Sequence, residues 1–167
     1  FYFQMRYDRR KGSDYMGKTY EEIKIGANTF ATAVKVLEAV GEYGKEQQVQ
    51  GGAGAGLLPQ AMIPAITLNA FTCELALKAM VVKKGSTYEG IHTLDKLYDK
   101  ISEKDKEKIS GYVIGEMKKC VPNYGKVDFD ADLAKHARLF VDWRYFFEKR
   151  VSANLSFIES LFNAVLE

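Results

Sequence analysis

Apolar positions recur at three- and four-residue intervals along most of the chain, and strict alternation is scarce, so the pattern predicts helices rather than strands. From about Tyr20 to Gln48, Ile23, Phe30, Val34, Leu37 and Val40 keep near one face while Lys24, Lys35, Glu38 and Glu42 take others, which describes an amphipathic helix packed along one side. The glycine-rich run Gly51–Gly56 breaks it. Pro59–Lys84 is the most apolar stretch, with Ile63, Ile66, Leu68, Phe71, Leu75, Leu77, Met80 and Val82 pointing around nearly the whole circumference, and is expected to be the central helix.

After the turn-rich Gly85–Gly90, a short helix puts Leu94, Leu97, Tyr98 and Ile101 on one face. Ser102 opens another, with Asp105 three residues on as an approximate capping box and Ile109, Tyr112, Val113, Ile114 and Met117 on its apolar side. Val121-Pro122-Asn123-Tyr124-Gly125 turns the chain. The next helix, capped by Asp128 or Asp130, is expected to run to about Arg150 with Phe129, Leu133, Ala137, Phe140 and Phe147 as its stripe, and a last helix covers Ser152–Leu166. The pattern predicts an all-α, up-and-down bundle of four to five main helices in one domain.

Composition narrows this picture. With 167 residues, 47% of them hydrophobic and only three prolines, the chain can bury a full core without a disulfide framework or a structural metal. Twenty-four basic against 22 acidic residues give a net charge of +2, which excludes the strong basic excess of a protein that coats nucleic acid but leaves room for a local patch. Cys73 and Cys120 have no other cysteine, and no histidine at ligand spacing, so free thiols in a reducing compartment are expected, with neither metal nor cofactor. Phe1-Tyr2-Phe3-Gln4 reads as an expression-tag remnant ahead of a natural start at Met5. No signal peptide follows, and the longest uncharged stretch, Val49–Cys73, is interrupted by prolines, glycines, Gln60 and Asn69, a poor membrane span. The expectation is a cytoplasmic protein with no membrane partner.

The glycine run is the tempting false lead. A phosphate loop requires a lysine and a hydroxyl residue after its last glycine and a strand before its first, whereas Leu57 and Leu58 follow here and a helix precedes; the dinucleotide pattern fails at Leu57 as well. Polar residues on apolar faces are more informative. Continuing the stripe through Phe140 and Phe147 places Arg144 toward the core, and on the central helix Glu74 and Lys78 stand four residues apart among apolar neighbours. One account is an Arg144–Glu74 salt bridge that fixes helix register; the other is a polar site that reads a phosphate or nucleotide. His92 either satisfies backbone groups at a helix start or joins that cluster, and His136 is expected to be a packed neutral histidine. Trp143-Arg144-Tyr145 offers planes for stacking a base, against the commoner role of aromatics as core.

Three segments in order carry a family resemblance: Ala70-Phe71-Thr72-Cys73-Glu74-Leu75-Ala76-Leu77-Lys78-Ala79-Met80, then Ile91-His92-Thr93-Leu94-Asp95-Lys96-Leu97-Tyr98, then Trp143-Arg144-Tyr145. With their Glu-x-x-x-Lys-Ala helix, His-x-Leu-x-x-Leu segment and later arginine, residues 60–150 resemble the HEPN superfamily of helical bundles. The resemblance implies a four- or five-helix bundle, frequent homodimerisation, and roles in RNA cleavage, toxin–antitoxin or phage-defence systems, or nucleotide binding. The family's ribonucleases use an arginine followed, after four to six residues, by a histidine. Here those positions hold Gly85, Ser86 and Thr87 before His92, and Phe129, Asp130 and Ala131 before His136, so the motif is absent. The reading is therefore a non-catalytic HEPN-like binding or regulatory module, homodimeric, with nucleotide, RNA or a partner protein as ligand and Arg144, Glu74, Lys78 and His92 as candidate ligand-binding residues. No residue is assigned a catalytic role. The alternatives are an atypical metal-independent ribonuclease using Arg144 and His92, and a purely structural interaction domain.

Overall fold

The computed structural model describes residues 18–50, 56–145, 148 and 152–167, and among these it holds seven helices and no strand. The all-α bundle expected from the periodicity is what forms. The tag remnant, most of the glycine run, Phe147 and Arg150 lie outside the described residues.

Helix α1 (Tyr20–Val49) and helix α2 (Leu57–Lys83) make a long hairpin. Gly26 lies against Leu75, and Gly41 against Leu58 and Ala61, so the two run antiparallel. The face of α1 toward α2 is small, with Ala27, Ala31, Gly41 and Gly44 buried, and this lets the helices approach closely. A full capping box starts α1: Thr19 Oγ1 accepts from the Glu22 amide at 3.3 Å, and the Glu22 carboxylate accepts from the Thr19 amide at 2.8 Å.

Helix α2 is central, as its pattern predicts. It packs against α1, the short α3 (Leu94–Lys100), α6 (Leu139–Arg144) and α7 (Leu155–Leu166), while α4 (Glu103–Met117) and α5 (Lys126–Lys135) complete the layer beneath. Gln60–Lys83 is long and apolar enough to cross a membrane, and two-thirds of its most apolar window is buried by these neighbours. Leu77, Leu97, Ile101, Phe129 and Phe157 sit at the centre of the core, none with measurable exposure. Burying a side chain of this size contributes about 1.5–3 kcal/mol each.

The structure departs from the periodicity between Asp128 and Ser152. One long helix was expected; α5 instead ends at Lys135 and α6 begins at Leu139. The reason is tertiary. The His136 ring donates from Nδ1 to the Asp132 carbonyl at 2.7 Å, and its Nε2 accepts from the Asn154 amide at 2.9 Å. The Ala137 carbonyl accepts from the Leu94 amide at 2.9 Å, so it is claimed by the start of α3 rather than by a continuing helix. Asp128 is not the residue that precedes α5 but its third, accepting from the Gly125 amide at 2.8 Å. The last helix starts three residues late, because Asn154 caps it by accepting from the Phe157 amide at 3.3 Å. At Ser102 only half of the box forms: its hydroxyl accepts from the Asp105 amide, while the Asp105 carboxylate takes the hydroxyl itself.

Candidate functional site

Glu74 and Lys78 are one turn apart on α2, both buried, and the Lys78 ammonium donates to Glu74 Oε1 at 2.6 Å. Two glycines then bring a third group to the same oxygen. Gly85, at φ 81°, closes α2 in a Schellman arrangement, with the Ser86 amide on the Val81 carbonyl and the Gly85 amide on that of Val82. Gly90, at φ 69°, takes the third place in a turn closed by the Ile91 amide on the Tyr88 carbonyl, a conformation that favours glycine. The chain therefore doubles back over α2, and His92 Nδ1 lies 2.9 Å from Glu74 Oε1 and 3.4 Å from the Lys78 ammonium.

The three partners are unequally exposed. The Glu74 side chain is 2% exposed and that of Lys78 9%, whereas the imidazole of His92 is 66% exposed. A carboxylate accepting at Nδ1 fixes the tautomer with its proton there, and leaves Nε2 as the free acceptor. Glu74 Oε2 is buried and has no hydrogen-bond partner. The Lys78 ammonium also lies 5.2 Å from the centre of the Tyr88 ring.

These groups form one wall of a cavity of about 670 Å³ between α1, α2 and α6. Lys18 and Glu22 stand at the α1 end of the cavity, and Phe30, Phe71 and Phe140 form an aromatic surface within it. Phe71 stacks on Phe140 at 4.7 Å and meets Phe30 edge-on at 4.8 Å. Arg144 lines the same cavity from α6.

The cluster expected from the sequence is thus assembled, with one correction. Arg144 does not face the core and does not pair with Glu74. It is exposed, and its guanidinium lies 5.4 Å from the centre of the Phe140 ring and 4.8 Å from that of Tyr145. The break before α6 resets the helical phase on which the inward position depended. Glu74 is paired with Lys78 on its own helix and hydrogen-bonded by His92 from the α2–α3 link instead. Of the stacking residues, Tyr145 does meet Arg144, but Trp143 packs against the core with its indole nitrogen buried and unpartnered.

Tyr88, Phe30, Phe71 and Lys18 were not singled out from the sequence as site residues. For Phe30 and Phe71 the helical stripe gave only a core role, and no local signal marks Tyr88 or Lys18. His136, expected as a packed neutral histidine, is 2% exposed and stacked on Phe157 at 5.4 Å; burial holds its titration below the ordinary histidine range. Cys73 is buried and its thiol is pushed up to about 12, while Cys120 is exposed. Among the described residues no three metal-ligating side chains gather at one point.

No family model, curated protein or solved structure matches this chain.

Proposed function

We propose that the protein is a HEPN-like binding module that takes a nucleotide in the cavity between α1, α2 and α6 without cleaving it. The observation that carries this reading is the meeting of Arg144, an aromatic surface and the Glu74–Lys78–His92 cluster around one cavity of about 670 Å³. That volume lies within the range of small-molecule sites. Arg144 and Lys18 supply cations for a phosphate, and Arg144 with Tyr145 and Phe140 supplies flat surfaces for a base. The buried acid holds the exposed imidazole in one orientation, so its Nε2 is a fixed acceptor for a ligand N–H or O–H.

Calorimetric titration with AMP, ATP and UMP tests this. Binding is expected for the parent protein, weakened about tenfold or more by Arg144→Ala and by His92→Ala with melting temperature unchanged. Absence of binding for all three, or affinities unaffected by both substitutions, would overturn the reading.

A second reading rests on a specific feature. An imidazole held by a buried carboxylate, with its far nitrogen open and an arginine lining the same cavity, has the parts of a proton-transfer site. Turnover of single-stranded RNA without metal, lost in His92→Ala, would replace the binding role with that of an atypical ribonuclease. No such turnover is expected.

The homodimer also stands as a proposal, on a structural ground beside the resemblance. Neighbouring helices cover most of α2, and α1 carries five exposed large apolar side chains, Ile25, Val36, Val40, Tyr43 and Val49, more than any other helix among the described residues. Light scattering is expected to give twice the 18.8 kDa chain mass, and a concentration-independent monomer would remove the dimer from this reading.

A further inference from the structure

The chain has two histidines, and one of them keeps a ring nitrogen for outside chemistry. Both nitrogens of His136 are engaged, Nδ1 with the Asp132 carbonyl and Nε2 with the Asn154 amide, and the residue is 2% exposed. His92 is bound through Nδ1 alone. Glu74 Oε1 lies 2.9 Å from it, and no hydrogen bond reaches Nε2 among the described residues. The ring is 66% exposed, so a reagent in solution has a path to the free nitrogen.

The groups around this imidazole suit it to forming a bond at Nε2. A carboxylate on Nδ1 keeps the proton there and meets the positive charge the ring gains when the far nitrogen attacks an electrophile. That carboxylate is itself fixed, because Lys78 holds the same oxygen at 2.6 Å from within the helix. The cavity wall also carries Arg144 and Lys18, neither in an ion pair among the described residues. Two uncommitted cations suit a group that arrives with two negative charges, and a guanidinium matches the oxygens of a phosphoryl group. An acyl or alkyl electrophile would leave both cations without a role.

We propose that His92 is a phosphoryl-acceptor site, whose Nε2 takes a phosphoryl group from a donor with a phosphorus–nitrogen bond, the class that includes a phosphorylated histidine on another protein. The Nε2 lone pair forms the new N–P bond, and the electrons of the old P–N bond leave with the donor nitrogen. That nitrogen already carries its proton in phosphoramidate, so it departs as ammonia, and nothing is oxidised or reduced. The charge gained by the ring is shared through the Nδ1 proton with Glu74. Because one nitrogen replaces another on phosphorus, the exchange is close to balanced and depends on orientation and charge, which the cluster supplies. The inference uses the cavity of the nucleotide reading but does not require a nucleotide in it.

The test is to incubate the full chain with potassium phosphoramidate in mildly alkaline buffer, following intact mass and phosphorus NMR. One phosphoryl group per chain is expected, on Nε2, removed by acid, and formed about tenfold or more faster than on N-acetylhistidine. His92→Ala is expected to abolish it, with His136 left unlabelled, and Arg144→Ala to slow it about tenfold. Labelling that persists in His92→Ala, the Nδ1 isomer, a rate no greater than that of N-acetylhistidine, or a parent rate in Arg144→Ala would each overturn the proposal. Labelling is read with no nucleotide present, so its failure leaves nucleotide binding to be decided by its own titration.

Discussion

Two histidine–carboxylate regions of this small bundle use nearly the same residue types to opposite ends. Around His136 every buried side-chain polar atom has a partner. Asp132 Oδ2 accepts from the Tyr124 hydroxyl at 3.0 Å and the Asn154 amide nitrogen at 3.1 Å, while the imidazole bridges the Asp132 carbonyl and the Asn154 main chain. None of these side chains is left with a buried unpartnered atom. Around His92 the network stays open: the imidazole is mostly exposed, one oxygen of the buried Glu74 lacks a donor, and the cluster borders a cavity. A closed polar network ties elements together, here the end of α5 to the start of α7. An open one keeps hydrogen-bonding capacity that the fold does not use, and that separates a site from a staple.

The comparison is tested hardest at Glu74. Glu74→Ala would leave the Lys78 ammonium buried without its acid, and the loss expected by chemical denaturation is about 3–5 kcal/mol. A loss below about 1 kcal/mol would mean that Lys78 escapes to solvent and that the pair does not organise the wall.

His136→Ala comes next. It removes a packed ring from beside Phe157 and leaves the Asn154 main-chain amide without its partner, while the Asp132 carbonyl keeps the His136 main-chain amide, so a loss of about 2–4 kcal/mol is expected. A near-neutral result would show that α5 and α7 are held by apolar contacts alone, and the staple reading would fall.

Much of this was legible in the residues. Glu74 and Lys78 announce themselves because two charges one turn apart on a strongly apolar helix must neutralise each other, whereas the sequence leaves His92 open between satisfying backbone groups and joining the cluster, and the turns at Gly85 and Gly90 decide for the second. Arg144 was misplaced because its expected direction assumed one unbroken helix from Asp128 onward. Nothing between Lys135 and Leu139 is a helix breaker by composition: the interruption comes from Leu94 and Asn154, distant in sequence, which bond the Ala137 carbonyl and the His136 ring. A break of tertiary origin has no local signature. The late start of α7 did have one, since Asn154 before an apolar run is a favoured capping residue.

Acid tests the closed network at His136 directly. The fold holds His136 below its unfolded value of 6.5, so the folded chain keeps the neutral ring while the unfolded chain takes up a proton. Its contribution is complete above about pH 6.5 and is lost as pH falls from there toward the folded value. His136→Gln keeps an acceptor for the Asn154 amide but cannot titrate. Its stability is expected to fall less steeply than that of the parent between about pH 6.5 and 5, as read from urea midpoints. Identical slopes would show that the His136 ring does not resist protonation in the fold.

The smallest expected effect carries the most functional weight. His92 is two-thirds exposed, and Lys78 remains to neutralise Glu74 when the ring is removed. His92→Ala is therefore expected to stay within about 0.5 kcal/mol of the parent, as surface substitutions usually do. Arg144→Ala should behave the same way, because its guanidinium makes only exposed contacts with Phe140 and Tyr145 and no ion pair among the described residues. Near-parent stability together with lost nucleotide binding in both variants would place the two side chains in a ligand site. If either variant melted several degrees lower, the open network would be a structural staple like its counterpart at His136, and the contrast between the two regions would collapse.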